Sequence, residues 1–231
     1  MTEPAETAAV ADVRTPGFWR VSDETYFGDI EHISNSMLST FLKWRPMYFD
    51  KYVEPFAPKT GSAVDPEEVA DELPEEEAKS ALNMGTALHA MVFETERFGD
   101  LVAVAPKVDR RTKEGKALYA KFVEESQGKT VLTSAEWCDV NGMYAAITSN
   151  RSAVQLLTMP GGIRETPIRW LDSGTGLWCK GKPDLIVEPG ILVDLKSVRE
   201  VRMPAWARMV RDRGYHRQAA FYVDGLKQAI G

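Results

Sequence analysis

The tightest constraint on the fold is a run of period-two hydrophobicity that starts at residue 163 and is broken at charged positions. "IRETPIRWLD", "LWCKGKPDLIVE" and "ILVDLKSV" alternate as half-buried strands do, and Ser173-Gly174 and Pro189-Gly190 are turn signals between them. Three consecutive strands commit this part of the chain to a sheet. Yet Asp184, Asp194 and Lys196 fall inside "GKPDLIVEPGILVDLKS", where the middle of a sheet should be apolar. Asp194 and Lys196 are two apart, so they leave one face of a strand about 7 Å from each other. The place of Asp184 depends on the connection. A two-residue Pro189-Gly190 hairpin puts Leu185 opposite Asp194 and turns the aspartates apart. A three-residue connection, 188–190, puts Asp184 opposite Asp194 on one face.

In the second register two carboxylates stand about 4–5 Å apart and repel by roughly 4 kcal/mol at an effective dielectric near ~20. A sheet keeps such a pair only with a proton or a cation between them. Carboxylates with a hydrated side select Mg²⁺ or Mn²⁺. A lysine beside such a cation orients or deprotonates a water, or stabilises a developing oxyanion. The plainer reading of D-x-K alone is an ion pair at a strand end. Other residues weigh against it. Glu165 interrupts "IRETPIRW" and supplies a third acid. In the last helix Tyr215, Gln218 and Tyr222 recur at i, i+3 and i+7, a polar and aromatic face suited to a nucleic-acid backbone or base. His89 stands in the apolar "MGTALHA", and Gly85, one turn earlier, lets another segment approach closely. From such a helix the imidazole reaches a metal, and imidazole suits Mn²⁺ better than Mg²⁺.

Elsewhere the pattern is helical. "HISNSMLSTFLKWRP" reads as a helix of about ten residues capped by Ser34 or Asn35 and stopped by Pro46. Further helices are expected over 75–94, 113–126, 134–157 (one or two) and from about 204 to the end, with "LVAV" a short strand. Residues 1–15 read as a flexible tail and 56–74 as an acidic, Pro-punctuated loop. The fold class is therefore α/β or α+β. Residues 16–231 form one domain, with a helical N-terminal elaboration and a mixed central sheet flanked by helices in a core over about 160–231.

With 231 residues, 44% of them hydrophobic and 27% charged, the chain suits one soluble domain. It has no apolar run long enough for a membrane span, and its start lacks the basic and apolar parts of a signal peptide. Its two cysteines cannot supply a disulfide framework or a four-cysteine cluster. A cytoplasmic location without membrane contact follows as the expectation. The net charge of −6 hides an asymmetry. Residues 54–79 carry nine acids and two bases, whereas 196–217 carry seven bases and two acids. Residues 107–121 add six bases against two acids. A basic stretch directly after the misplaced acids points to a polyanion, with Arg199, Arg202, Arg208, Arg211, Arg213 and Arg217 as phosphate contacts.

Taken in order, "GTALH", an upstream glutamate, "GKPD", "VDLKS" and "YHRQAAFY" resemble the PD-(D/E)XK nuclease superfamily. "ISNSMLSTFLKWRP" and "MGTALHAMVFETERF" bring the resemblance closer to the exonuclease VIII (RecE-type) recombination exonucleases of phages and prophages, over roughly residues 30–230. The resemblance implies a restriction-endonuclease-like core. It implies metal binding by His89, Asp184, Asp194 and the Leu195 carbonyl, with Lys196 as the catalytic lysine. Glu165 matches the acid that precedes the core hairpin, and Tyr215, Gln218 and Tyr222 match the family's Q-Y helix. It further implies 5′ to 3′ digestion of double-stranded DNA ends with Mg²⁺ or Mn²⁺, a ring-shaped homo-oligomer, and work beside a single-strand annealing protein. Relatives with an iron–sulfur cluster use four cysteines, so no such cluster is expected here. The family usually continues past this helix with a further strand, whereas this chain stops at "KQAIG". A C-terminally shortened member and a piece of a longer chain are the alternatives.

Two other functions fit the same residues. One is a PD-(D/E)XK endonuclease or repair nuclease, separated from an exonuclease by its action on covalently closed circles. The other is a catalytically silent DNA-binding module, which would have no need for a repelling pair of acids.

Overall fold

The computed structural model describes residues 15–56, 75–187 and 190–231. The expected flexible tail (all but residue 15), the acidic loop from 57 onward, and Glu188 and Pro189 lie outside the described residues. The class is α+β. A short strand β1 (Gly17–Phe18) leads into three helices, α1 (Asp23–Gly28), α2 (Asn35–Lys43) and α3 (Arg45–Tyr52). Ser34 caps α2 by accepting from the Met37 N–H. Pro46 does more than stop that helix. α2 ends at Trp44, and Pro46 sits in the first turn of α3, where an absent N–H costs nothing.

The long helix α4 (Glu75–Phe93) lies where the periodicity predicts it, followed by α5 (Phe98–Leu101), β2 (Val102–Val104), α6 (Lys113–Glu125) and β3 (Thr130–Leu132). The 134–157 stretch is two helices, α7 (Ser134–Ser149) and α8 (Arg151–Leu157). Asn150 divides them, because its extended backbone ends one helix while its side chain caps the next through the Ala153 N–H. Ala87, Leu88 and Ala90 of α4 bury themselves with Val102, Leu132 and Val140 as one core.

The three expected strands are five: β4 (Ile163–Arg164), β5 (Ile168–Leu171), β6 (Trp178–Gly181), β7 (Leu185–Val187) and β8 (Ile191–Val193). The strands make three small sheets in place of one: antiparallel β1-β5-β6, parallel β2-β3, and antiparallel β4-β7-β8. The C-terminal helix is likewise divided into α9 (Met203–Asp212) and α10 (Tyr215–Ile230). Gly214 separates them at a φ of 70°, a left-handed turn that glycine takes without strain. α10 lies close on β5. A methyl group at Gly225 would come within 2.6 Å of the Trp170 ring, which is 1% exposed and packs with Ile168, Cys179, Ile186 and Leu226. Among the described residues no helix is long and apolar enough to cross a membrane.

Candidate active site

The hairpin formed by β4–β5 and β6–β7 keeps one register across a gap. Ile163 faces Ile186, and five residues further along each strand Ile168 faces Gly181. The gap has local causes. Pro167 and Pro183 bring no N–H to the ladder. Glu165 takes a φ of 46°, the only positive value at a non-glycine among the described residues. Such a backbone costs on the order of 1 kcal/mol or more and persists where its surroundings hold it. Here the Glu165 N–H donates to the Asp184 carbonyl at 3.0 Å. On the other side β7 meets β8 with Leu185 facing Val193, so three residues, 188–190, join the strands. Continued one step, that register sets Asp184 opposite Asp194, the second of the two alternatives.

Three donors converge at the gap. His89 Nδ1 of α4 lies 3.5 Å from Asp184 Oδ1 and 3.7 Å from Glu165 Oε1. One ligand atom from each of His89, Glu165 and Asp184 falls within 4.8 Å of the others. The other face of the ring is anchored, since His89 Nε2 donates to the Leu195 carbonyl at 3.0 Å. That bond fixes the tautomer and leaves Nδ1 aimed at the two carboxylates. One nitrogen and two carboxylates with partial solvent access suit Mn²⁺ or Mg²⁺. The Leu195 carbonyl, implied as a ligand, thus serves His89, and the Leu195 N–H donates to Asp184 Oδ2. Gly85 places α4 against the segment after β8: a methyl there would stand 3.1 Å from the Ser197 hydroxyl.

Burial pushes the Asp184 carboxyl up to about 6, with His89 and the Leu195 N–H opposing and the charges of Asp194 and Glu165 adding to it. For His89, burial pulls the pKa down. The Glu165 and Asp184 carboxylates outweigh it, and the imidazole ends above its ordinary value. The imidazole thus carries its positive charge more readily where it faces the two carboxylates.

Asp194 stands beside this cluster and outside its three donors. It forms an ion pair with Lys196 and accepts from Gln218 Nε2 at 3.3 Å. Gln218 also donates to the Tyr222 hydroxyl at 3.3 Å, and Lys196 Nζ lies 5.2 Å from the Tyr215 ring centroid. The Tyr215, Gln218 and Tyr222 face of α10 therefore meets the Asp194–Lys196 pair. The arginines are placed differently. Arg199 pairs with Glu77, Arg202 with Glu200 and Arg211 with Asp212, while Arg208, Arg213 and Arg217 are exposed.

None of those six arginines lines the cleft of about 520 Å³ that holds Glu165, Asp184, Gln218 and Tyr222; its cations are Lys51, Lys180 and Lys182. Lys182 is the residue that sequence reasoning passed over. Its Nζ lies 3.1 Å from Glu165 Oε2 and 2.8 Å from Asp23 Oδ1. Burial lowers its pKa, Asp23 and Glu165 more than restore it, and the net shift is upward. The lysine of "GKPD" was in view, but its partners lie far away in sequence and no periodicity marks it.

The chain matches no curated protein. Residues 51–231 match the model of a family described as a PDDEXK-like domain of unknown function (DUF3799). That segment holds all three converging donors together with Asp194 and Lys196, and its superfamily is the PD-(D/E)XK nucleases. The match spans most of the sequence, and the chain belongs to this PDDEXK-like family, a domain of the nuclease type.

Proposed function

We propose that this domain is a divalent-metal-dependent DNA exonuclease that hydrolyses linear double-stranded DNA from its ends, 5′ to 3′, in phage-type recombination. The observation that carries this reading is the convergence of His89, Glu165 and Asp184 donor atoms within 4.8 Å, next to the Asp194–Lys196 pair. Asp184, Glu165 and His89 Nδ1 would hold an Mg²⁺ or Mn²⁺ ion. When bound, such an ion offsets the carboxylate charge and acts as a Lewis acid toward a phosphodiester. The chain's own residues do the rest. The Leu195 carbonyl keeps the His89 ring in place, and Lys182 holds the Glu165 carboxylate at the edge of the cleft. Gln218 orients Asp194, and Asp194 holds the Lys196 ammonium. From there Lys196 serves the attacking water or the phosphoryl oxygens, where negative charge builds up in the transition state. In this reading the chain acts on DNA ends as a ring-shaped homo-oligomer beside a single-strand annealing protein, as the resemblance implies.

A gel assay on linear duplex labelled at either end, with covalently closed circles alongside, tests the proposal in Mg²⁺, Mn²⁺ and EDTA. Linear DNA should shorten from its ends with either metal and persist in EDTA, while circles stay intact. Cut circles would favour an endonuclease. Binding without any cleavage would favour a silent module.

A further inference from the structure

Phe27 is 71% exposed, yet it lines the same cleft as Glu165 and Asp184. Its ring stands in water beside two of the converging carboxylates. It rests edge-on against Tyr26, 5.1 Å between centroids, and Lys182 Nζ lies 5.9 Å from its centroid. The cleft also has Tyr52 in its lining, and behind Tyr52 runs a row of rings. The Tyr52 centroid is 5.3 Å from Tyr48, and Tyr48 is 5.4 Å from Phe41, itself 42% exposed. Lys51 lies 5.3 Å from the Tyr52 centroid and Arg45 the same distance from Phe41.

Tyr52 and Phe41 thus each have an exposed cation beside them, Lys51 and Arg45, whereas the Lys182 ammonium near Phe27 is held by Asp23 and Glu165. An apolar protein partner has no use for those two cations. A nucleic-acid strand does, because the cation takes a phosphate while the ring takes a base. Bases inside a duplex have both faces covered by their neighbours. A blunt end offers only the outer face of its last pair, so successive rings call for successive unpaired bases. The surface is continuous with the cleft, since Phe27, Lys51 and Tyr52 line it together with the acids. We propose that Phe27 and Tyr52, backed by Tyr48 and Phe41, form a stacking platform for unpaired bases, so that the strand reaching the carboxylates is bound single-stranded. The inference rests on the nuclease reading and narrows its substrate to a terminus that is frayed or already overhanging.

The test uses the whole chain in EDTA and a single-stranded DNA oligonucleotide carrying 2-aminopurine, with the same label inside a blunt duplex as comparison. Anisotropy reports affinity, and fluorescence quenching reports stacking. The platform predicts tighter binding of the single strand, with quenching. Phe27→Leu and Tyr52→Leu should each lower that affinity roughly tenfold and abolish quenching, whereas Tyr52→Phe keeps both. Phe27→Leu removes an exposed ring and no core, so its folding is not at stake, and an unchanged melting temperature checks this. Leu variants that bind and quench like the parent overturn the proposal. So does a parent that prefers the blunt duplex, or Leu variants that alter only self-association in sedimentation. The two readings fail separately. Quenching by a protein that cuts no DNA in Mg²⁺ or Mn²⁺ keeps the platform and ends the nuclease. Cleavage that the Leu variants leave unchanged, with unaltered binding, does the reverse.

Discussion

Burial of the Asp184 carboxyl makes this residue a burden on the metal-free fold. Its folded pKa, about 6, stands above the usual 3.8, so the native state keeps a proton that the unfolded chain has lost. The stability it contributes is complete below about 4 and is lost as pH rises through about 6. In EDTA, Asp184→Asn should therefore melt above the parent at pH 8, since asparagine brings no charge and its carbonyl still accepts from the Leu195 N–H. Calorimetry at pH 5 and pH 8 checks this, and a variant that melts below the parent at pH 8 would contradict it. Asp184, Asp194 and Lys196 were legible in the sequence because charges break a strand pattern, and a strand pattern is a strong expectation. Lys182 was not, because what marks it is contact with Asp23 and Glu165. The choice of His89, Glu165 and Asp184 as the converging set, with Asp194 set aside on Lys196, also needed coordinates.

The elements were legible wherever period and caps agreed, as in α2, α4 and α6, with bounds close to those predicted. They were misread where a single residue redirects the backbone. Glu165 and Pro183 divide two expected strands into four, Asn150 divides a helix, and Gly214 ends one where the apolar pattern runs on. Division into three sheets could not be read either, because alternation gives a strand's face and not its partner. Contacts between elements decide the sign of one simple substitution. In α10, Gly225→Ala drives a methyl into the buried Trp170 ring and should cost about 1–3 kcal/mol. In α7, Gly142 is exposed with nothing within 4 Å of the added carbon, so Gly142→Ala should stabilise by about 0.5–1 kcal/mol. Denaturant melts of both variants check the pair, and equal shifts would contradict the close approach of α10 to β5.

On the scale of the whole molecule, the site is shared between the matched family segment and the residues before it. Lys180 of β6 is buried, with its ammonium on the Tyr26 carbonyl and the Asp29 side chain, the latter at 3.2 Å. Lys182 reaches Asp23 in the same way. Two lysines beside Asp184 thus fasten α1 and the loop after it over the core, and the cleft takes its shape from both. Removing Asp29 would leave a buried ammonium short of its counter-charge, a loss of about 3–5 kcal/mol for a pair of this kind. Glu165 and Asp184 line that cleft, and the Asp194–Lys196 pair stands outside its lining. The most direct test is the single-turnover cleavage rate of linear duplex DNA in Mg²⁺, parent against Lys196→Ala, with DNA affinity in Ca²⁺ measured alongside. Metal-dependent cleavage by the parent, slowed at least about a hundredfold in Lys196→Ala with affinity little changed, is the predicted result. Cleavage by Lys196→Ala at the parent's rate would contradict the account and leave the lysine an ion-pair partner of Asp194 and no more.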